Sequence, residues 1–194
     1  MRYGISMKHY FLVWRKNRKV AEYTSASLRT RGQHSWQYGR FEMRAKINTS
    51  SGMWPAFWTL GEQGAWLACG EIDIMEYYRG MILANAAWAG PDEETVWDVT
   101  RKELTSFSDP NWADDFHVWR MDWDEDAIAL YVDDQLLNTV AVSKTINQRG
   151  TPSNPMQQPH YLIINLALGG TNGGEISEAE FPQEYVIDYV RVYQ

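Results

Sequence analysis

The chain has 194 residues, 44% of them apolar, enough to bury one core and with nothing in the length that demands a second domain. Its 25 acidic residues outnumber 18 basic ones, and the resulting net charge of −7 argues against a nucleic-acid partner, since only residues 15–19 form a short basic run. No run of about 18 apolar residues occurs, so no membrane-spanning helix is expected, and residues 1–10 lack the apolar centre of a secretory signal peptide.

In chain order, short β-type runs occupy residues 10–15, 23–31, 38–47, 54–60, 71–77 and 81–88. Residues 91–111 are polar and irregular and are expected to form a long loop. Further strand-like runs follow at 116–123, 127–132, 135–142, 161–168 and 185–193. Between two of them, Asp133-Asp134 predicts a tight hairpin turn, and the glycine-rich run from Gly169 to Gly174 predicts a loop with positive φ angles. No long segment has a 3.6-residue period, and no internal repeat is visible. The pattern predicts an all-β fold: one domain over residues 1–194, with two antiparallel sheets packed as a sandwich whose curved strands leave a groove beside the 91–111 loop.

The 10 Trp and 11 Tyr exceed what a core of this size needs. At least half must still be core, but flat aromatic faces that stack on the apolar faces of sugar rings would account for the surplus. Cys69 is the lone cysteine, so no intramolecular disulfide can form and a buried small residue is expected there.

The run Gly70-Glu71-Ile72-Asp73-Ile74-Met75-Glu76 carries the chemistry. Cleaving a glycosidic bond with retention needs a nucleophilic carboxylate and a protonated carboxyl about 5 Å apart on either side of the bond. In a plain strand Glu71 and Asp73 share a face and Glu76 points the other way. A β-bulge near Ile74-Met75 would restore Glu76 to that face. Three acids on one face raise at least one pKa, which keeps a proton available near neutral pH. Glu71 is assigned as nucleophile, Glu76 as acid and then base, and Asp73 as the neighbour that hydrogen-bonds Glu71. On spacing alone, an ordinary solvated strand face explains the same acids equally well. A zinc site is not expected, because His9, His34, His117 and His160 lack ligand spacing, and no Gly-x-Ser-x-Gly elbow or EF-hand pattern occurs.

The run Gly70 to Tyr77 resembles the signature of glycoside hydrolase family 16. Further segments resemble that family in order: Tyr23-Thr24-Ser25-Ala26, Tyr38-Gly39-Arg40-Phe41-Glu42, Gly52-Met53-Trp54-Pro55-Ala56-Phe57-Trp58, Phe116-His117-Val118-Trp119, Asn165-Leu166-Ala167-Leu168-Gly169-Gly170, and Ile187 to Tyr193. The resemblance implies a jelly-roll β-sandwich with an open concave cleft, endo-type cleavage of β-linkages, and the same three acid roles. It also implies Trp54, Trp58, Arg40 and Asn165 as sugar contacts and a structural Ca²⁺ at Asp188, with no cofactor needed for catalysis. Trp88 joins the substrate-binding candidates. Two departures stand out. The chain starts about a strand or two late for the family, so an N-terminally shortened domain is expected, and Leu83-Ala84-Asn85-Ala86-Ala87-Trp88 and Thr171-Asn172-Gly173-Gly174 differ from the usual laminarinase strand and loop. The expected substrate is a neutral polysaccharide, provisionally a β-1,3-glucan. The alternatives are an agar-, keratan- or mucin-type galactan, or sugar binding without catalysis. A monomer acting in the extracellular space or periplasm is expected.

Overall fold

The computed structural model describes residues 23–91, 94–149, 152–176 and 181–194. The strand expected at 10–15, the basic run at 15–19 and His9 lie outside these residues. Eleven strands are described: β1 (Ser27–Arg29), β2 (Gly39–Lys46), β3 (Met53–Gly61), β4 (Glu71–Tyr78), β5 (Met81–Ala89), β6 (Thr95–Glu103), β7 (His117–Trp123), β8 (Ala127–Val132), β9 (Gln135–Ala141), β10 (His160–Leu168) and β11 (Val186–Tyr193). They form a six-stranded sheet in the order β1-β10-β3-β4-β5-β6 and a five-stranded sheet in the order β11-β2-β7-β8-β9. Every strand pairing is antiparallel.

Alternation explains why these segments form a sandwich. On β2, Phe41, Met43 and Ala45 are buried while Arg40, Glu42 and Arg44 face outward, and on β7 the buried set is His117, Trp119, Met121 and Trp123. All of these buried side chains but His117 meet Phe57, Ile72, Ile74, Met75, Ile82, Ala84 and Leu162 of the other sheet in one continuous core. Cys69 is buried and free.

The hairpin expected at Asp133-Asp134 is present, with both residues at positive φ (46° and 64°), the geometry whose twist suits a two-residue connection. Gly169, Gly170 and Gly174 adopt positive φ as expected, but Gly170–Gly173 also closes into a single helical turn. The clearest correction is β6, which lies inside the segment read as a long loop. Its outward residues are Trp97, Val99, Arg101 and Glu103, and it lies at the edge of its sheet, where charges guard an unpaired backbone. A strand with so little apolar face leaves a weak alternation signal.

Candidate active site

The three acids lie on β4, and β4 is irregular where the chemistry needs it to be. Against β3, Met75 pairs with Phe57 and Asp73 with Trp58, leaving Ile74 as an extra residue. Against β5, the three-residue step from Asp73 to Glu76 spans only the two-residue step from Asn85 to Leu83. Without this bulge Glu76 would sit opposite Ile82, in a row that faces the core. With it, Ile72, Ile74 and Met75 are all fully buried inside, while Glu71, Asp73 and Glu76 share the outer face of the sheet.

Cross-strand pairing extends each acid into a row over its neighbours. Glu71 lies between Leu60 of β3 and Ala87 of β5, Asp73 between Trp58 and Asn85, and Glu76 between Ala56 and Leu83. Three indole or amide donors hold the acids. The Trp66 Nε1–H donates to Glu71 Oε2 at 2.5 Å, and the Trp54 Nε1–H donates to Glu76 Oε1 at 2.7 Å. Asn85 Nδ2 donates to Asp73 Oδ2 at 3.2 Å and more weakly to Glu76 Oε2 at 3.5 Å.

Burial pushes all three carboxyls upward, by unequal amounts. Asp73 lies well above the usual carboxylate range, first because it is desolvated and then because Glu71 and Glu76 repel its charge. The interaction between the Asp73 and Glu71 carboxyls works in opposite directions on the two, favouring the proton on Asp73 and the charge on Glu71. Glu71 is raised by desolvation, and the bonds from Trp66 and Asp73 pull it back down. Glu76 is raised to about 7, by desolvation first and by the charge on Glu71, against the Trp54 bond and the more distant Arg101. Of these two carboxyls, Glu71 is the less strongly raised and Glu76 keeps its proton up to about 7, so the pair can act as nucleophile and acid.

The remaining expected site residues divide between the sheets. Trp58 is half-buried in the Asp73 row, and its Nε1–H donates to Asn165 Oδ1 at 2.7 Å, so both lie on the active face. Arg40 does not. It projects from the outer face of β2 in the opposite sheet, because its neighbour Phe41 takes the core side, and it forms a two-pronged pair with Asp122 at 2.7 and 3.2 Å. Trp88 is also misplaced as a sugar contact. Asn85 shares the face of Asp73, so Trp88, three residues further along β5, faces inward and is buried in the core. Asp188 meets Arg44 Nη1 at 2.7 Å, and among the described residues no three His, Cys, Asp or Glu converge as a metal site. A dication on the Asp188 carboxylate would have to displace that guanidinium, so the donor set described does not fit it.

The profile of the glycosyl hydrolases family 16 matches residues 6–191. The chain belongs to this family. Among its relatives, a β-glucanase of Rhodothermus marinus is 36% identical over 189 residues, spanning 89% of this chain and 63% of that protein. A keratan-sulfate endo-1,4-β-galactosidase of Sphingobacterium multivorum is 31% identical over 89% of this chain and 40% of its own length. The solved laminarinase catalytic domain of Thermotoga maritima superposes with a TM-score of 0.72 at 33% identity, covering 87% of this chain and 68% of that one. The chain thus spans less than two thirds of these two curated relatives. As a family 16 member it has the family's jelly-roll sandwich, with the acids on the outer face of the six-stranded sheet.

Reading the sequence for acids alone misses Trp66, which lies in the turn before β4 and carries the shortest bond to Glu71. Its place five residues before a Glu in an apolar strand is the only sequence signal that could have found it. In the sequence Asn85 stands out only as part of a strand that departs from the usual pattern, and the structure makes it the donor to two of the three acids.

Proposed function

We propose that this chain is a retaining endo-β-glycoside hydrolase that cuts internal linkages of a neutral polysaccharide, in the first place a β-1,3-glucan. The observation that carries the reading is the bulge at Ile74-Met75, which turns Glu76 onto the face of Glu71. In the first step Glu71 attacks the anomeric carbon while Glu76 gives its proton to the departing oxygen. In the second, Glu76 takes a proton from water, the water oxygen attacks the same carbon, and Glu71 leaves. Asp73 keeps its own proton and steadies the Glu71 charge between the two steps. Both steps use carboxylates and water and call for no cofactor. All the groups come from one chain, so a monomer suffices, and a polymeric substrate places the reaction in the extracellular space or periplasm.

The glucan preference rests on the β-glucanase and laminarinase relatives. A galactan is the second reading, favoured by the galactosidase relative and by the departure of Leu83 to Trp88 from the usual laminarinase strand. The test is reducing-sugar release from laminarin, mixed-linkage glucan, agarose and keratan, with proton NMR of the first anomer released. Release from the glucans with the β-anomer first is expected. Cleavage of galactans alone would overturn the glucan assignment, an α-anomer first would overturn retention, and binding without release would reduce the chain to a sugar-binding module.

A further inference from the structure

Among the described tryptophans only Trp66 and Trp97 are exposed. Trp66 bonds Glu71, and Trp97 has no part in the acid cluster. It nevertheless lies in the same row: Glu71 pairs with Ala87 on β5, and Ala87 pairs with Trp97 on β6. Ala87 contributes only a methyl group, so no large side chain stands in this row between the nucleophile and the indole. Val99 follows on the same face of β6, in the Asp73 row, and is also exposed.

A substrate whose scissile bond lies between Glu71 and Glu76 must cross β4, because both acids stand along that strand. It then runs over β3 and β10 on one side and over β5 and β6 on the other. Two strand spacings separate β6 from β4, about 10 Å, a distance a polymer reaches within a couple of sugar units. On the β3 side the chain offers Trp58 and Asn165, already bonded to each other. On the β6 side it offers a flat indole, 42% exposed.

We propose that the outer face of β6 is a distal sugar-binding position of the cleft, with the Trp97 indole as the platform on which a pyranose ring of the polymer lies. The proposal rests on the hydrolase reading above. Stacking of this kind binds ground and transition states alike, so it lowers KM for substrates long enough to reach β6 and leaves kcat nearly alone.

The test is kcat and KM for the unaltered chain, W97A and W97F on laminari-oligosaccharides of increasing length, with the thermal midpoint of each variant as a folding control. For W97A, KM is expected to rise about tenfold on the longest oligosaccharide and progressively less on shorter ones. W97F, which keeps a smaller flat ring, is expected to recover part of that loss. A W97A loss that is absent or equal at every length overturns the proposal, as does W97F behaving like W97A. If the unaltered chain cuts no laminari-oligosaccharide, the glucan reading alone has failed, and the same comparison on β-galactan oligosaccharides decides Trp97. Failure to cut either series sinks both.

Discussion

The outer faces of the two sheets treat charge in opposite ways. On the five-stranded sheet, cross-strand neighbours neutralise one another: Arg40 pairs with Asp122, Arg44 with Asp188, and Arg120 with Asp122 and Asp134. These groups are mostly exposed. On the six-stranded sheet three acids of one sign are crowded on a single strand, and among the described residues no Lys or Arg is within ion-pair distance of them. Their partners are neutral indoles and an amide. Pairing the acids with cations would hold every proton affinity low and remove the general acid. Neutral donors steady the carboxylates while leaving burial and mutual repulsion to separate them. The five-stranded sheet matches its charges, and the sheet proposed to react does not.

The largest break in that comparison comes from E71Q, which keeps the acceptor for Trp66 but removes the nucleophile. Hydrolysis is expected to fall by at least about a thousandfold, with sugar affinity largely kept, as measured by reducing-sugar release and by calorimetric binding. Substantial turnover in E71Q would shift the nucleophile role elsewhere. Next in size is E76Q, expected to cost about a hundredfold or more for a linkage whose departing oxygen needs a proton. Its pH profile is the sharper measurement. The proton on Glu76 is needed, and its affinity sits at about 7, so kcat/KM of the unaltered chain should fall as pH rises through that value. Toward acid it should fall again as the raised Glu71 takes up a proton. In E76Q the alkaline limb should vanish while the acid limb remains. An alkaline limb that persists would separate Glu76 from the titration.

Much of this was legible in the residues, because two opposing rules met within six positions. Glu71, Asp73 and Glu76 violate strict alternation, and apolar Ile72, Ile74 and Met75 between them force a bulge rather than a slip of the whole strand. Strands with a regular buried face, such as β2 and β7, could be read for the same reason. What failed depends on which sheet a strand joins. Arg40 lies in a recognisable strand, but no local pattern tells that β2 belongs to the sheet opposite β4. Trp88 depends on parity, since a tryptophan near the acids in sequence looks available for sugar until the register with Asp73 is known. β6 escaped because its exposed face mixes Trp97 and Val99 with Arg101 and Glu103, and nothing in its composition separates an edge strand from a polar loop.

The same unmatched charge predicts a smaller effect, on stability. Glu76 binds its proton more tightly in the folded chain, at about 7, than at its ordinary value of 4.5. Between those values the folded state holds more protons than the unfolded one, so the fold loses stability as pH rises through that window. E76Q removes the titration and retains an acceptor for Trp54. Relative to the unaltered chain, it should gain stability at pH 8, on the order of 1–3 kcal/mol, and little at pH 4. Urea unfolding at the two values measures this. A variant equally destabilised at both would mean that the carboxyl is held in place without strain, and the contrast between the sheets would lose its energetic content.

The smallest effect is expected on the other side of the molecule, where it tests whether matched charges there do anything for the reaction. Arg40 and Asp122 face solvent, and their attraction is screened by water and offset by the ordering of two long side chains. R40A should therefore cost no more than about 1 kcal/mol of stability. Hydrolysis should be unchanged in both kcat and KM, because the residue stands on the far side of the core from Glu71. A KM that rises in R40A while the fold holds would mean that sugars also meet the five-stranded face. In that event the division between a reacting sheet and a charge-matched one would have to be redrawn, beginning with the strand that carries Arg40.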